Sequence, residues 1–420
     1  MTVRRTFRRR LLAASMLTLF ASTAAAAGSA DTLFSIAPQA KASVAASDDR
    51  VLQAIQAEPA SRDLVALAVE ATLLDEAVQH LDMEIAPGVR VQAEQQYAYT
   101  NPDGTIVWSG TLNADDTRAR LQRFGEKEAL EDPDASVLVV RNGDRLTGTI
   151  RSGGEIYQLR PLADGGHVLT RMDTASMPPD HPAGHRHTPI QPLVFDHLEI
   201  PENKNNTVVR VGVLISNAAA SAIGDITGFA NLAVAESNQG FANSGAQVTL
   251  QLAHVGTTTY TGTNFSTALD HFRGTSDGFM DGWHATRNST AADLSVLVIN
   301  NSASCGIGYL NASAAYAFSV VHYGCATGYY TFAHEIGHNF GAHHNPEIAT
   351  NNAYPYGHGY RHPGSAFRTI MAYNCSPGCT RVNYWSNRSR TYNGAPMGTA
   401  ATHDNARVIN NRRATVAGFR

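Results

Sequence analysis

The chain has 420 residues, 43% hydrophobic and 16% charged, an ordinary globular composition with room for two or three folded units. No internal apolar run is long enough to span a bilayer, so no membrane span is expected. The net charge of −4 hides an uneven spread: residues 31–200 carry −12, while residues 361–420 hold nine Arg and a single acid, Asp404.

Five arginines (Arg4, Arg5, Arg8, Arg9 and Arg10) precede an apolar stretch from Leu11 to about Ala21, and small residues from Thr23 to Gly28 follow. This order predicts an export signal over residues 1–27 and a secreted protein. Arg4-Arg5-Thr6-Phe7 leaves twin-arginine and ordinary secretory export both open. The basic start is therefore not read as a nucleic-acid contact.

Residues 28–177 read as a smaller α+β unit. Asp48 to His80 is rich in Ala, Leu, Val and Gln and predicts helix. Strand-like alternation follows at Tyr97–Tyr99, Thr105–Ser109, Ser136–Val140, Leu146–Ile150 and Glu155–Leu159. Turn dipeptides such as Asp103-Gly104 and Asn142-Gly143 lie between them. Residues 178–205 read as a linker: Pro178, Pro179, Pro182, Pro189 and Pro192 exclude helix and central strand, so this stretch should be extended, exposed and open to proteolysis.

Residues 206–420 form the last unit. Val208–Ile215 and Leu294–Asn300 are near-continuous apolar runs, as in strands covered on both faces. Ala246–His254 reads as another strand. Ile223–Ser237 and Asp277–Arg287 read as helices between the strands, an α/β layered order. Cys305–Leu310 reads as a short, edge-like strand and Ala317–His322 as another. A helix follows from about Tyr329 to Asn339. The four cysteines, Cys305, Cys325, Cys375 and Cys379, favour two disulfides in an exported chain. Proximity suggests Cys305–Cys325 and Cys375–Cys379, against a poorly spaced four-cysteine zinc site.

The chemistry lies in His334-Glu335-Ile336-Gly337-His338-Asn339-Phe340-Gly341-Ala342-His343-His344. His334 and His338 are four apart, one helical turn on the same face, and can share a zinc ion. Glu335 is placed to reach a water rather than the metal. Gly341 can take a positive φ, end the helix and turn the chain so that His344 supplies a third nitrogen. His343 is the rival third ligand. Three protein ligands with an open fourth position make a catalytic site.

This string resembles the H-E-x-x-H-x-x-G-x-x-H signature of the metzincin metalloproteases. The resemblance implies a metzincin-type α/β (α+β) domain over residues 206–420, with a mixed sheet and a zinc-binding active-site helix. It also implies a Met-turn below the metal, for which Met371 in Thr369–Tyr373 is placed, and a catalytic role for Tyr373, whose alternative is core packing. Finer similarity, from about residue 205, is to the reprolysin-like branch and to bacterial peptidyl-Asp metalloendopeptidases, which cut before acidic residues. Asn345 stands where reprolysins usually have Asp. The activity so implied is zinc endopeptidase action on proteins or peptides, with Glu335 as general base. Structural calcium is left open.

Arg361, Arg368 and Arg381 are candidates to grip a substrate carboxylate. The acidic 28–177 unit reads as a pro-domain that inhibits its own basic catalytic half. It has no cysteine, so Asp180, His181, His185 or His187 is the candidate to fill the open metal position, with an incidental linker as the alternative. A broad-specificity protease preferring apolar residues, and an adhesin that keeps the fold without turnover, are the competing readings.

Overall fold

A computed structural model describes residues 31–37, 48–185, 187, 189–190, 206–349, 353–364 and 366–420. The expected export signal and residues 191–205 of the linker lie outside the described residues.

The first half is a closed nine-stranded barrel. Its strands are β1 (Asp31–Ile36), β2 (Ser61–Val69), β3 (His80–Ala86), β4 (Val89–Thr100), β5 (Ile106–Thr111), β6 (Ala135–Asn142), β7 (Arg145–Ser152), β8 (Glu155–Pro161) and β9 (His167–Met172). Neighbours pair antiparallel except β1 and β3, which close the barrel in parallel. Alternation supplies the core: Leu81, Met83 and Ile85 of β3 are buried while His80, Asp82 and Glu84 face outward more. The turn signals hold at Gly104 and Gly143, both at positive φ.

The helix expected from Asp48 to His80 is shorter. It spans Arg50–Ala57, with the Asp49 carboxylate accepting from the Val51 and Leu52 amides. Pro59 blocks continuation. Ser61–Val69 then pairs with β9 and buries Val65 and Leu67. The same apolar residues serve either element, and barrel pairing decides between them. The α+β unit is therefore a barrel with only two α-helices among its described residues, Arg50–Ala57 and Ala114–Phe124.

The second half is a five-stranded mixed sheet of order β11-β10-β12-β14-β13. Its strands are β10 (Thr207–Ser216), β11 (Val248–Thr258), β12 (Leu294–Ile299), β13 (Gly306–Gly308) and β14 (Phe318–His322). The first four in that order run parallel, and β13 lies antiparallel to β14 at the edge. Every residue of β12 is buried, because helices cover both faces. One face packs Val213, Val296, Phe241 and Ile336 into a shared core; the other packs Leu297, Phe272 and Trp283.

Two expected helices move. Gly224, at φ 78, and the Asp225 cap move the first to Ile226–Asn243, and a separate helix, Asn217–Ile223, precedes it. The second starts late, at Trp283, because the Asp277 and Asp281 carboxylates accept from amides of residues 277–279 and hold a loop there. No single helix among the described residues is long and apolar enough to cross a membrane.

The barrel docks on the catalytic half, chiefly helix Ile226–Asn243, through an apolar patch of Val107, Leu138 and Val140 against Leu232 and Ala235 and through polar contacts around it. Thr149 donates to Glu236, Gln239 and Asn243 donate to Glu131, and Gln158 donates to the Thr327 carbonyl.

Candidate metal centre and active site

Helix Thr331–Phe340 carries the sequence-predicted cluster. It is wholly buried, lying under the sheet edge with Met371 and Trp385 on its other side. A Cβ on Gly337 would sit 2.5 Å from the Trp385 ring and 2.8 Å from Met371 Sδ. Glycine there lets the helix lie flush on the Met371 turn, and Met371 is fully buried. At the C-terminus Gly341 takes φ 103, and the Ala342 amide returns to the Gly337 carbonyl.

That reversal brings His344 back. Its Nε2 lies 3.2 Å from Nε2 of His334 and 3.0 Å from Nε2 of His338. His343 does not join them; its Nδ1 accepts from the His344 amide and its ring stacks on His358. Two of the three are held by backbone. His334 Nδ1 donates to the Ile370 carbonyl, and His338 Nδ1 donates to the Ala342 carbonyl. A proton on Nδ1 leaves the Nε2 lone pair free and pointing inward.

A fourth nitrogen meets them, from the linker. His181 Nε2 is 3.1 Å from His334 Nε2, 2.8 Å from His344 Nε2 and 3.4 Å from His338 Nε2. Its Nδ1 donates to the Gly306 carbonyl on edge strand β13. Ligand nitrogens of a tetrahedral zinc, at about 2.0–2.1 Å from the ion, stand about 3.3 Å apart. The donor set and its spacing fit zinc. Burial also holds these imidazoles neutral, His181 down to about 4 and the other three well below the usual range, which is the ligating form.

Glu335 stands beside this cluster, fully buried, with Oε1 3.7 Å from His181 Nδ1. Neither carboxylate oxygen has a hydrogen-bond partner, and burial pushes its pKa well above the usual range. Gly306 makes the room: a Cβ there would come 2.5 Å from Glu335 Oε1. The sequence reading missed Gly306, although it singled out the segment that contains it.

Tyr373 lies beside the cluster, its ring 4.5 Å from that of His344. Its amide donates to Asn345 Oδ1, so the departure at Asn345 anchors the turn. The expected disulfides are present: Cys305–Cys325 ties β13 to the segment after β14, and Cys375–Cys379 closes the loop after Met371.

The linker is not simply exposed, as its prolines suggest. Pro179 and Asp180 carbonyls accept from the Cys305 and Gly306 amides, His187 Nδ1 donates to the Gly308 carbonyl, and the Ile190 amide donates to the Leu310 carbonyl. Pro178, His181 and His187 are buried against the sheet edge. Prolines lack N–H groups, so docking falls to carbonyls and imidazoles.

The three candidate arginines separate. Arg368 and Arg381 are buried together against Tyr329: Arg368 Nη2 donates to the Tyr329 hydroxyl, and Arg381 Nη1 to its carbonyl. Arg361 instead donates to the Tyr373 carbonyl and stays half-exposed. Asp180 enters between the buried pair, Oδ1 2.7 Å from Arg381 and Oδ2 3.6 Å from Arg368. Burial raises the Asp180 pKa, but the two guanidiniums overcome this and hold it well below the usual range. Tyr329 was not anticipated as this support; the sequence places it at the start of the active-site helix, which begins instead at Thr331.

An imidazole pair one turn apart, a third after a glycine reversal, and a carboxylate free beside them define a metallopeptidase. The model of metallo-peptidase family M12 matches residues 205–386. A peptidyl-Asp metalloendopeptidase of Stenotrophomonas maltophilia (strain K279a) is 44% identical, across 97% of this chain and 98% of its own length. One from Xanthomonas campestris pv. campestris is 41% identical across 95% of this chain and 96% of its length. One from Pseudomonas fragi is 42% identical over 44% of this chain and all of its own length. The chain belongs to the peptidyl-Asp metalloendopeptidase family of the M12 metallo-peptidases. It is a metalloendopeptidase, a hydrolase.

Proposed function

We propose that this chain is a secreted, zinc-dependent endopeptidase that cuts on the N-terminal side of aspartate and is made as a latent precursor. The observation that carries the reading is the convergence of His334, His338 and His344 with a buried, unpartnered Glu335. Those three imidazoles would hold the zinc, and its relatives are named for cleavage at Asp. Bound there, zinc supplies a Lewis acid for the scissile carbonyl and for water.

Glu335 takes the proton of the attacking water and returns it to the leaving amine. Its buried carboxylate has no hydrogen-bond partner to hold it, so both oxygens are free for that proton. Tyr373 offers its hydroxyl to the developing oxyanion from beside His344. Substrate backbone adds along edge strand β13.

The barrel and residues 178–190 act as the inhibitory pro-segment, with His181 Nε2 gathered beside the imidazoles that would hold the metal, where it would exclude water. Removal of the segment by proteolysis in the linker, C-terminal to His187 and before Asn206, releases the site. Residues 1–27 direct export.

The test is metal analysis with turnover. Full chain should hold one zinc, cleave little until nicked in the linker, and lose activity to a chelator. A nicked, zinc-loaded chain that cuts no peptide would overturn the proposal in favour of a binding protein.

A further inference from the structure

Asp180 is chemically out of place in a proline-rich linker. It is a carboxylate, its side chain only 8% exposed, inserted between two arginines that are themselves almost fully buried. Burying such charges is tolerated only when they are paired and hydrogen-bonded. The arginines do not owe their positions to Asp180. Arg381 is held by the Tyr329 carbonyl and lies over the Tyr329 ring, and Arg368 is held by the Tyr329 hydroxyl and the Ala372 carbonyl. Their Nε atoms are buried without partners. The result is a doubly cationic pocket, closed from solvent with the linker in place, one residue away from the metal centre, because Asp180 precedes His181.

We infer that this pocket is the specificity pocket and that Asp180 is a built-in substrate mimic, seated where the aspartate of a cleaved protein would sit. The inference rests on the endopeptidase reading above and deepens it by naming the residues that select aspartate and the contact that blocks them. Arg368 and Arg381 do the selecting, with Tyr329 as the support; Arg361 does not. Once the linker leaves, two like-charged guanidiniums face each other without a counter-charge, and a substrate carboxylate restores the balance.

The mimic is also protected from cleavage. The bond that would be cut is Pro179–Asp180. Its carbonyl is taken by the Cys305 amide, and the space beside the three imidazoles is taken by His181. The two adjacent side chains therefore close the precursor at two points: Asp180 in the pocket and His181 at the metal centre.

The experiment uses the full chain carrying Asp180→Asn, Asp180→Glu, Arg381→Gln, Arg368→Gln or Arg381→Lys. The first readout is hydrogen exchange at the Cys305 and Gly306 amides, which the linker carbonyls protect, and it needs no turnover. Asp180→Asn keeps the shape and removes the charge, and should speed this exchange at least about tenfold. Asp180→Glu should speed it less. The second readout is the cleavage-site profile of the same chains after nicking in the linker. Arg381→Gln and Arg368→Gln should lower preference for Asp over Ala by at least about tenfold, and Arg381→Lys should restore part of it. Unchanged exchange in Asp180→Asn would remove the mimic. Asp preference retained in both glutamine variants would remove the pocket. If no nicked chain cuts any peptide, the endopeptidase reading falls, and the exchange experiment still decides whether Asp180 anchors the linker.

Discussion

Nε2 of His181 lies 2.8 Å from Nε2 of His344, although 163 residues separate them. His181 Nδ1 is committed to the Gly306 carbonyl, so its Nε2 presents a lone pair to the same point as His334, His338 and His344. Lone pairs gathered this closely ask for a cation, and under the proposed latency the fourth imidazole would fill the position that catalysis needs open.

His181→Ala in the full chain should open that position. Zinc should leave to a competing chelator at least about tenfold faster, because one of four ligands is gone. Peptidase activity of the unprocessed chain should rise. Chelator-release kinetics and peptide turnover measure the two effects, and unchanged release would remove His181 from the coordination shell.

Glu335→Gln keeps the volume and removes the proton acceptor. Turnover of the nicked chain should fall by on the order of 10²–10⁴-fold with zinc content unchanged. The variant should be no less stable, because a buried carboxylate without a hydrogen-bond partner has been replaced. Zinc loss parallel to the activity loss would make Glu335 structural.

Gly306→Ala places a methyl group 2.5 Å from Glu335 Oε1. Overpacking of this kind costs about 1–3 kcal/mol. Thermal unfolding should show the cost, and turnover should fall further than stability explains, because the displaced group is the proposed base. Full activity in Gly306→Ala would show that the carboxylate can move freely.

The seam between barrel and catalytic half should respond to pH. Burial pushes Glu131 and Glu236 up to about 7, from an ordinary 4.5. Their folded pKa values lie above the unfolded ones, so they stabilise the docked state fully below about 4.5 and lose that contribution as pH rises through about 7. Thermal stability of the full chain should decline from pH 5 to pH 8 through these groups. The double variant Glu131→Gln, Glu236→Gln should flatten that slope.

Much of the centre was legible because its geometry is local. The spacing of His334, His338 and Gly341 lies within one helix and its cap, and β10 and β12 announce themselves as apolar runs. What was not legible depends on distant partners. Leu67 reads equally as helix or strand until β9 lies beside it. Asp180 and Arg381 are 201 residues apart, and no local pattern pairs them. The prolines of the linker exclude helix, yet say nothing of the sheet edge that receives its carbonyls.

The most direct test of the whole account is peptide cleavage by the chain nicked in the linker, with and without a zinc chelator, the sites read by mass spectrometry. The account predicts chelator-sensitive cuts clustered before Asp. Chelator-sensitive cuts before apolar residues would contradict the arginine pocket, and cuts that persist in the chelator would contradict the metal centre itself.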